Sequence, residues 1–124
     1  MAQLLAALLL FLEPLHFAYE ALGVLPTLTY RGVPATIELI AHGSVAALCA
    51  AAGLALWNGA PDASRLAVIA IVTAVARTLQ SLYLSALPNN TRPGDEPIVA
   101  ATAIVVGLIA LVLVRRAGRS APSP

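Results

Sequence analysis

The sequence predicts an all-α integral membrane protein, built as an antiparallel bundle of four transmembrane helices. Hydrophobic residues make up 60% of the chain and charged residues only 10%, where a soluble domain carries about 25% charged. Mean hydropathy is +0.88. Four separate stretches each supply the roughly 20 mostly apolar residues that a spanning helix requires. They cover residues 3–25, 33–57, 64–86 and 97–114. A chain of 124 residues has room for one domain, here 1–116, with a polar tail over 117–124 expected to be disordered.

The first stretch has to be told apart from a cleaved leader. Residues 4–12 are apolar enough for the core of a signal peptide. No positive residue precedes them, Glu13-Pro14 is a poor cleavage context, and the apolar run continues to Leu25. A first spanning helix is therefore expected here. Turn chemistry marks the connections: residues 26–32, then 58–62, then 87–96, all rich in Pro, Gly, Asn or Asp. Pro34 and Pro97 fall in first helical turns, where the missing N–H has no helical partner to lose. Asp95 and Glu96 set negative charge at the positive end of the fourth helix.

Short connections make neighbouring helices antiparallel, which puts both termini on one side. That side carries Arg65, Arg115, Arg116 and Arg119, and the other carries Arg31 and Arg92. Positive residues concentrate on the cytoplasmic side, so both termini are expected in the cytoplasm. Trp57 and Tyr30 fall near opposite interfaces, where amphipathic rings are favoured. All seven basic residues are arginine, and alanine is abundant; this bias fits a GC-rich bacterial genome and a bacterial cytoplasmic membrane. A net charge of +1 gives no electrostatic basis for nucleic-acid binding. The lipid bilayer is the expected partner. Cys49 is the single cysteine, which excludes an intramolecular disulfide and a multi-cysteine metal site.

Six ionisable residues fall inside the spans: Glu13, His16 and Glu20 in the first, Glu38 and His42 in the second, Arg77 in the third. A charge at the centre of a spanning helix costs at least about 2.5 kcal/mol, so such residues mark functional sites. At 100° per residue, Glu13, His16 and Glu20 share one face within about 60°. Glu38 and His42 share a stripe with Cys49. Thr73, Arg77, Gln80 and Ser81 share another. At about 1.5 Å per residue, His16, His42 and Arg77 each lie roughly 13 Å from the outer ends of their helices. Every ionisable group points to the same half of the bilayer. Glu13, His16, Glu38, His42 and Arg77 form the candidate acid–base or ligand-binding cluster, supported by Glu20, Gln80 and Tyr83. Pro14, next to Glu13, frees the carbonyl of Leu10 and would kink the first helix.

Charge bookkeeping narrows the chemistry. Three glutamates against one arginine leave −2 with both histidines neutral. A low-dielectric site resolves that by protonating histidines, by keeping protons on carboxylates, or by binding a cation. The leading reading is a protein that binds or transports a proton, cation or small polar ligand. An enzyme doing acid–base or metal-assisted chemistry on a lipophilic substrate is the alternative, and a structural or accessory subunit is the third reading. The metal version rests on Glu13-x-x-His16, Glu20 and Glu38-x-x-x-His42 as ligands of a divalent ion. Di-metal bundles use two Glu-x-x-His motifs, and one is present here. Gly43, Ala46, Ala47, Ala50 and Gly53 line one helix with small residues, which suits either close packing within the chain or a homo-oligomer seam. The connections holding Tyr30, Arg31, Asn89, Asn90, Arg92, Asp95 and Glu96 read as an ordinary solvated surface or as a mouth over the cluster.

Overall fold

The structure, a computed structural model, describes residues 1–89 and 91–120. It is all-helical: α1 (Ala2–Leu10), α2 (Leu12–Val24), a 3₁₀ turn (Leu25–Thr27), α3 (Leu28–Arg31), α4 (Val33–Trp57), α5 (Ala63–Tyr83) and α6 (Glu96–Ser120). Four helical stretches are long and apolar enough to cross a membrane, over Ala2–Arg31, Val33–Trp57, Ala63–Tyr83 and Glu96–Arg119.

The second stretch has the bounds that its sequence predicts, and the other three differ from expectation. The first is not one helix: it is interrupted at Phe11, three residues before Pro14, whose ring removes the hydrogen bond to the Leu10 carbonyl. Beyond Val24 the chain stays helical through Arg31 instead of forming the expected loop over 26–32. It turns only at Gly32, whose φ of +89° suits a residue without a Cβ. The third helix stops at Tyr83 rather than at residue 86. Pro88 disfavours helical backbone at Leu87, and Leu87 is buried against Val24, Ala35 and Leu39. The fourth continues to Ser120, so the expected disordered tail is helical over 117–120. Tail residues 121–124 and loop residue Asn90 lie outside the described residues.

The helices pack as neighbours in chain order, α4 on α5 and α5 on α6, with α1 against both α4 and α6. At one end the Gln3 side-chain amide donates to the carbonyl of Leu56, joining the start of the first stretch to the end of the second. The core at that end is apolar and rich in small residues: Ala6, Ala7, Cys49, Ala52, Ala67 and Ala70 are all fully buried. Small side chains let helix axes approach, and dispersion contacts then hold them. Gly43 and Gly53 take the rings of Phe17 and Phe11; a Cβ at Gly53 would come within 2.7 Å of the Phe11 ring. Both glycines of the small-residue stripe thus pack within the chain, whereas Ala47 is exposed.

The break at Phe11 decides the other end. Below it, α1 touches α4 and α6; above it, α2 keeps to α4. The space that α2 gives up beside α6 becomes a cavity. Outside, Ile37, Ile40, Leu54, Ile69, Val72, Val105 and Leu108 are exposed, which gives the surface a broad apolar belt. Trp57 and Tyr30 are also exposed, at opposite ends.

Packing at Gly107 supplies a test. A Cβ there would sit 2.7 Å from Cγ2 of Val75, a β-branched side chain with little rotamer freedom. Gly107→Val is expected to destabilise the protein by about 1–3 kcal/mol through overpacking. Gly23→Ala, which meets nothing within 4 Å, is expected to be neutral or stabilising by up to about 1 kcal/mol. Thermal unfolding of both variants in detergent micelles checks the contrast.

Candidate functional site

The polar network begins at the helix break. Glu13, in the first turn of α2, faces Arg77 of α5 with both oxygens: Nε donates to Oε2 at 2.8 Å and Nη2 to Oε1 at 2.9 Å. This fork-on-fork pairing is the strong geometry for arginine and carboxylate. Nη2 also donates to Oγ1 of Thr78 at 3.0 Å. Arg77 is buried, with 9% of its surface exposed.

Next to it lies a second chain of contacts centred on His42, which is 3% exposed. His42 Nδ1 is 2.6 Å from Oε1 of Glu20 on α2. His42 Nε2 is 2.8 Å from Oε1 of Gln80 on α5. Gln80 Nε2 donates to Oε1 of Glu38 at 3.0 Å. Glu38 also accepts the Ala86 backbone N–H at 2.7 Å and a hydrogen bond from the Ser85 hydroxyl. Three helices are thereby stitched together in the order Glu20, His42, Gln80, Glu38. Among the described residues, every fully buried side-chain nitrogen and oxygen has a hydrogen-bond partner, as buried polar groups require.

The sequence-predicted residues divide accordingly. Glu13, Glu20, Glu38, His42, Arg77 and Gln80 come together. His16 does not join the network directly: its side chain is 54% exposed, and Nε2 is 4.0 Å from Oε2 of Glu20. Tyr83, at the end of α5, is exposed and stands apart. Thr73 turns back on its own helix, donating to the carbonyls of Ile69 and Ala70. Cys49 is buried in the alanine-rich core, its thiol directed at the Ala70 carbonyl at 3.6 Å.

The metal-ligand set of Glu13, His16, Glu20, Glu38 and His42 is not brought around one point. Among the described residues no three His, Cys, Asp or Glu side chains are grouped as a metal ion would need. The physical reason is competition. Arg77 occupies both oxygens of Glu13, and both nitrogens of His42 already face Glu20 and Gln80.

Sequence reasoning missed Thr78, Ser85 and the Ala86 N–H. The sequence places the last two in helix, where Ala86 N–H would bond its own turn. The signal was Pro88, which argues that the helix ends earlier and frees a donor-rich turn. Asn89 then donates to the Ser81 carbonyl at 2.8 Å and holds the turn over the site.

One wall of the network opens on a cavity of about 1090 Å³ between α2, α5 and α6. Its polar surface comes from Glu13, His16, Glu20 and Arg77, with Thr78, Ser81 and Thr102 beside them. Leu9, Ile71, Val75, Val99, Val106 and Ala110 make its apolar surface, and Pro88, Asn89 and Thr91 reach its edge. The volume is in the range of sites for small organic molecules, which combine apolar walls with a few placed polar groups. Glu20 is the hinge between network and cavity: Oε1 faces His42, while Oε2 lies 4.0 Å from Nε2 of the exposed His16. No protein-family model, curated protein or solved structure matches this chain.

The ion pair can be tested by a double-mutant cycle. Arg77→Met leaves the Glu13 carboxylate without its partner and is expected to cost about 3 kcal/mol or more. Adding Glu13→Leu removes the stranded charge and is expected to recover most of that loss. Unfolding of the four proteins in the same detergent gives the coupling energy; additive losses would show that the pair does not stabilise the fold.

Proposed function

We propose that this chain is an integral membrane protein of the bacterial cytoplasmic membrane. In this reading the four apolar stretches form an antiparallel bundle with both termini in the cytoplasm. The arginine bias supports that orientation. Arg115, Arg116 and Arg119 all lie on the last turns of α6, close enough to the span to count in it.

Within that setting, the Glu/His/Arg cluster binds or transports a small ligand that carries a cationic or hydrogen-bond-donating group. The observation that carries this reading is the Glu20 carboxylate on the cavity wall, with one oxygen engaged by His42 and the other 4.0 Å from the exposed His16. Glu13 and Arg77 neutralise each other beside it. A ligand with an apolar body would lie along Val106 and Ile71 and place its polar group at Glu20. The break at Phe11 supports the same reading, because it opens the cavity between α2 and α6.

Binding of tetraphenylphosphonium and of smaller amines to purified protein, followed by uptake into liposomes, tests the proposal. Wild-type protein is expected to bind one such cation. Glu20→Gln removes the acceptor's charge, and Val106→Trp fills the cavity. Each is expected to weaken binding at least about tenfold, on the order of 1.4 kcal/mol. Equal binding by all three proteins, or none by the wild type across the series, would count against the site.

A further inference from the structure

The contacts of His42 count protons. Nε2 faces a Gln80 carbonyl oxygen at 2.8 Å, and an amide oxygen only accepts. Nδ1 faces a carboxylate oxygen of Glu20 at 2.6 Å. With the Gln80 amide in this orientation, Nε2 must carry a proton. A second proton must then lie between Nδ1 and Glu20, since two lone pairs do not approach to that distance without one. The Gln80 amide can also turn by half a rotation, exchanging its oxygen and nitrogen, at the cost of the hydrogen bond that Nε2 donates to the Leu84 carbonyl at 3.3 Å. Gln80 Nε2 then donates to His42 Nε2, which becomes the acceptor. The Gln80 oxygen now faces Glu38, so Glu38 must carry a proton, and His42 keeps a proton on Nδ1 for Glu20.

The two arrangements bind the same number of protons, two over Glu20, His42 and Glu38. That is one more than a neutral histidine with both carboxylates ionised. We propose that this site retains one such extra proton and holds it at either of two positions, on the Glu20–His42 pair or on Glu38, with the Gln80 amide setting which. Passage between them breaks the His42 Nε2–H bond and forms an O–H bond at Glu38 Oε1, atoms that lie 3.6 Å apart. The trio keeps a charge of −1 throughout. Nothing else in the network changes protonation.

The groups facing His42 are consistent with both positions. From α2 come Glu20 and, behind it, His16; from α4 comes Glu38, one turn away. From α5 come Gln80 and Arg77, the latter already matched by Glu13. In the Glu20–His42 position, Glu38 is ionised and accepts from Gln80, Ser85 and the Ala86 N–H. In the Glu38 position, Glu20 is ionised on the cavity wall, where the proposed cationic group would sit. A cation at Glu20 would therefore favour the proton on Glu38. The proton count itself rests on no ligand, and it stands or fails separately from the cavity reading.

The test reads protons directly in lipid bilayers at about pH 7.5, above the ordinary histidine range. Nitrogen-15 NMR of histidine-labelled protein, with His16→Asn leaving His42 as the sole reporter, gives the fraction of imidazolium. Infrared difference spectra against Glu38→Gln and Glu20→Gln give the fraction of protonated carboxyl. The two fractions are expected to sum to one. A neutral His42 with no protonated carboxyl, a sum of zero, overturns the proposal. In Gln80→Leu the bridge is gone and Nε2 is free to be an unprotonated nitrogen. The sum is then expected to fall from one to zero, and a sum that stays at one would overturn the role given to Gln80. Should that variant fail to fold, the wild-type sum decides alone.

Discussion

The constraint on which the rest of this structure depends is that a charged side chain on an apolar helix must meet its partner inside the protein. Arg77 is the only arginine among the described residues of the network, and it takes both oxygens of Glu13. That contact fixes the base of α2 against α5 at the level where the first stretch breaks. Pro14 weakens the helix there, and the ion pair gives the break a direction. From that point α2 leans on α4, and α6 is left with open space beside it.

The two ends of the molecule follow different rules as a consequence. One end is an apolar core rich in alanine, where close axes and dispersion contacts dominate and Gln3 donates to the Leu56 carbonyl. The other end is held by hydrogen bonds among Glu20, His42, Gln80 and Glu38, where each group is satisfied only if its neighbours are in place. Such a network is sensitive to the loss of any member, because a stranded polar group in a low-dielectric site is costly. It is also where protons can be held and moved, since every link joins a donor to an acceptor. The cavity opens beside this end and reaches the edge of the apolar core at Leu10, Ile71 and Ala110.

Much of this was legible in the sequence. Composition and run length gave four apolar helices, and α4 begins and ends where its Gly32-Val33-Pro34 and Asn58-Gly59 signals put it. Helical periodicity put Glu13 and Glu20 on one face, and Glu38 and His42 on another, because spacing by three, four or seven residues returns to the same side. Depth counting put His42 and Arg77 at one level, together with His16, which stays outside the network. What failed were end effects. Tyr83 sits one turn beyond Gln80 on the linear count, yet it is exposed because α5 ends there. Ser85 and Ala86, read as helix, instead turn onto Glu38.

The sequence by itself determined which residues could not face an apolar surroundings unaided, and therefore that they would gather. Only the tertiary structure decided the pairing: Glu13 with Arg77, and His42 between Glu20 and Gln80 rather than beside His16. Periodicity gives each helix a face but not its rotation against its neighbours. Those rotations are set by the Phe11 and Phe17 rings seated on Gly53 and Gly43, and by the turn after Tyr83, contacts between residues far apart in the chain.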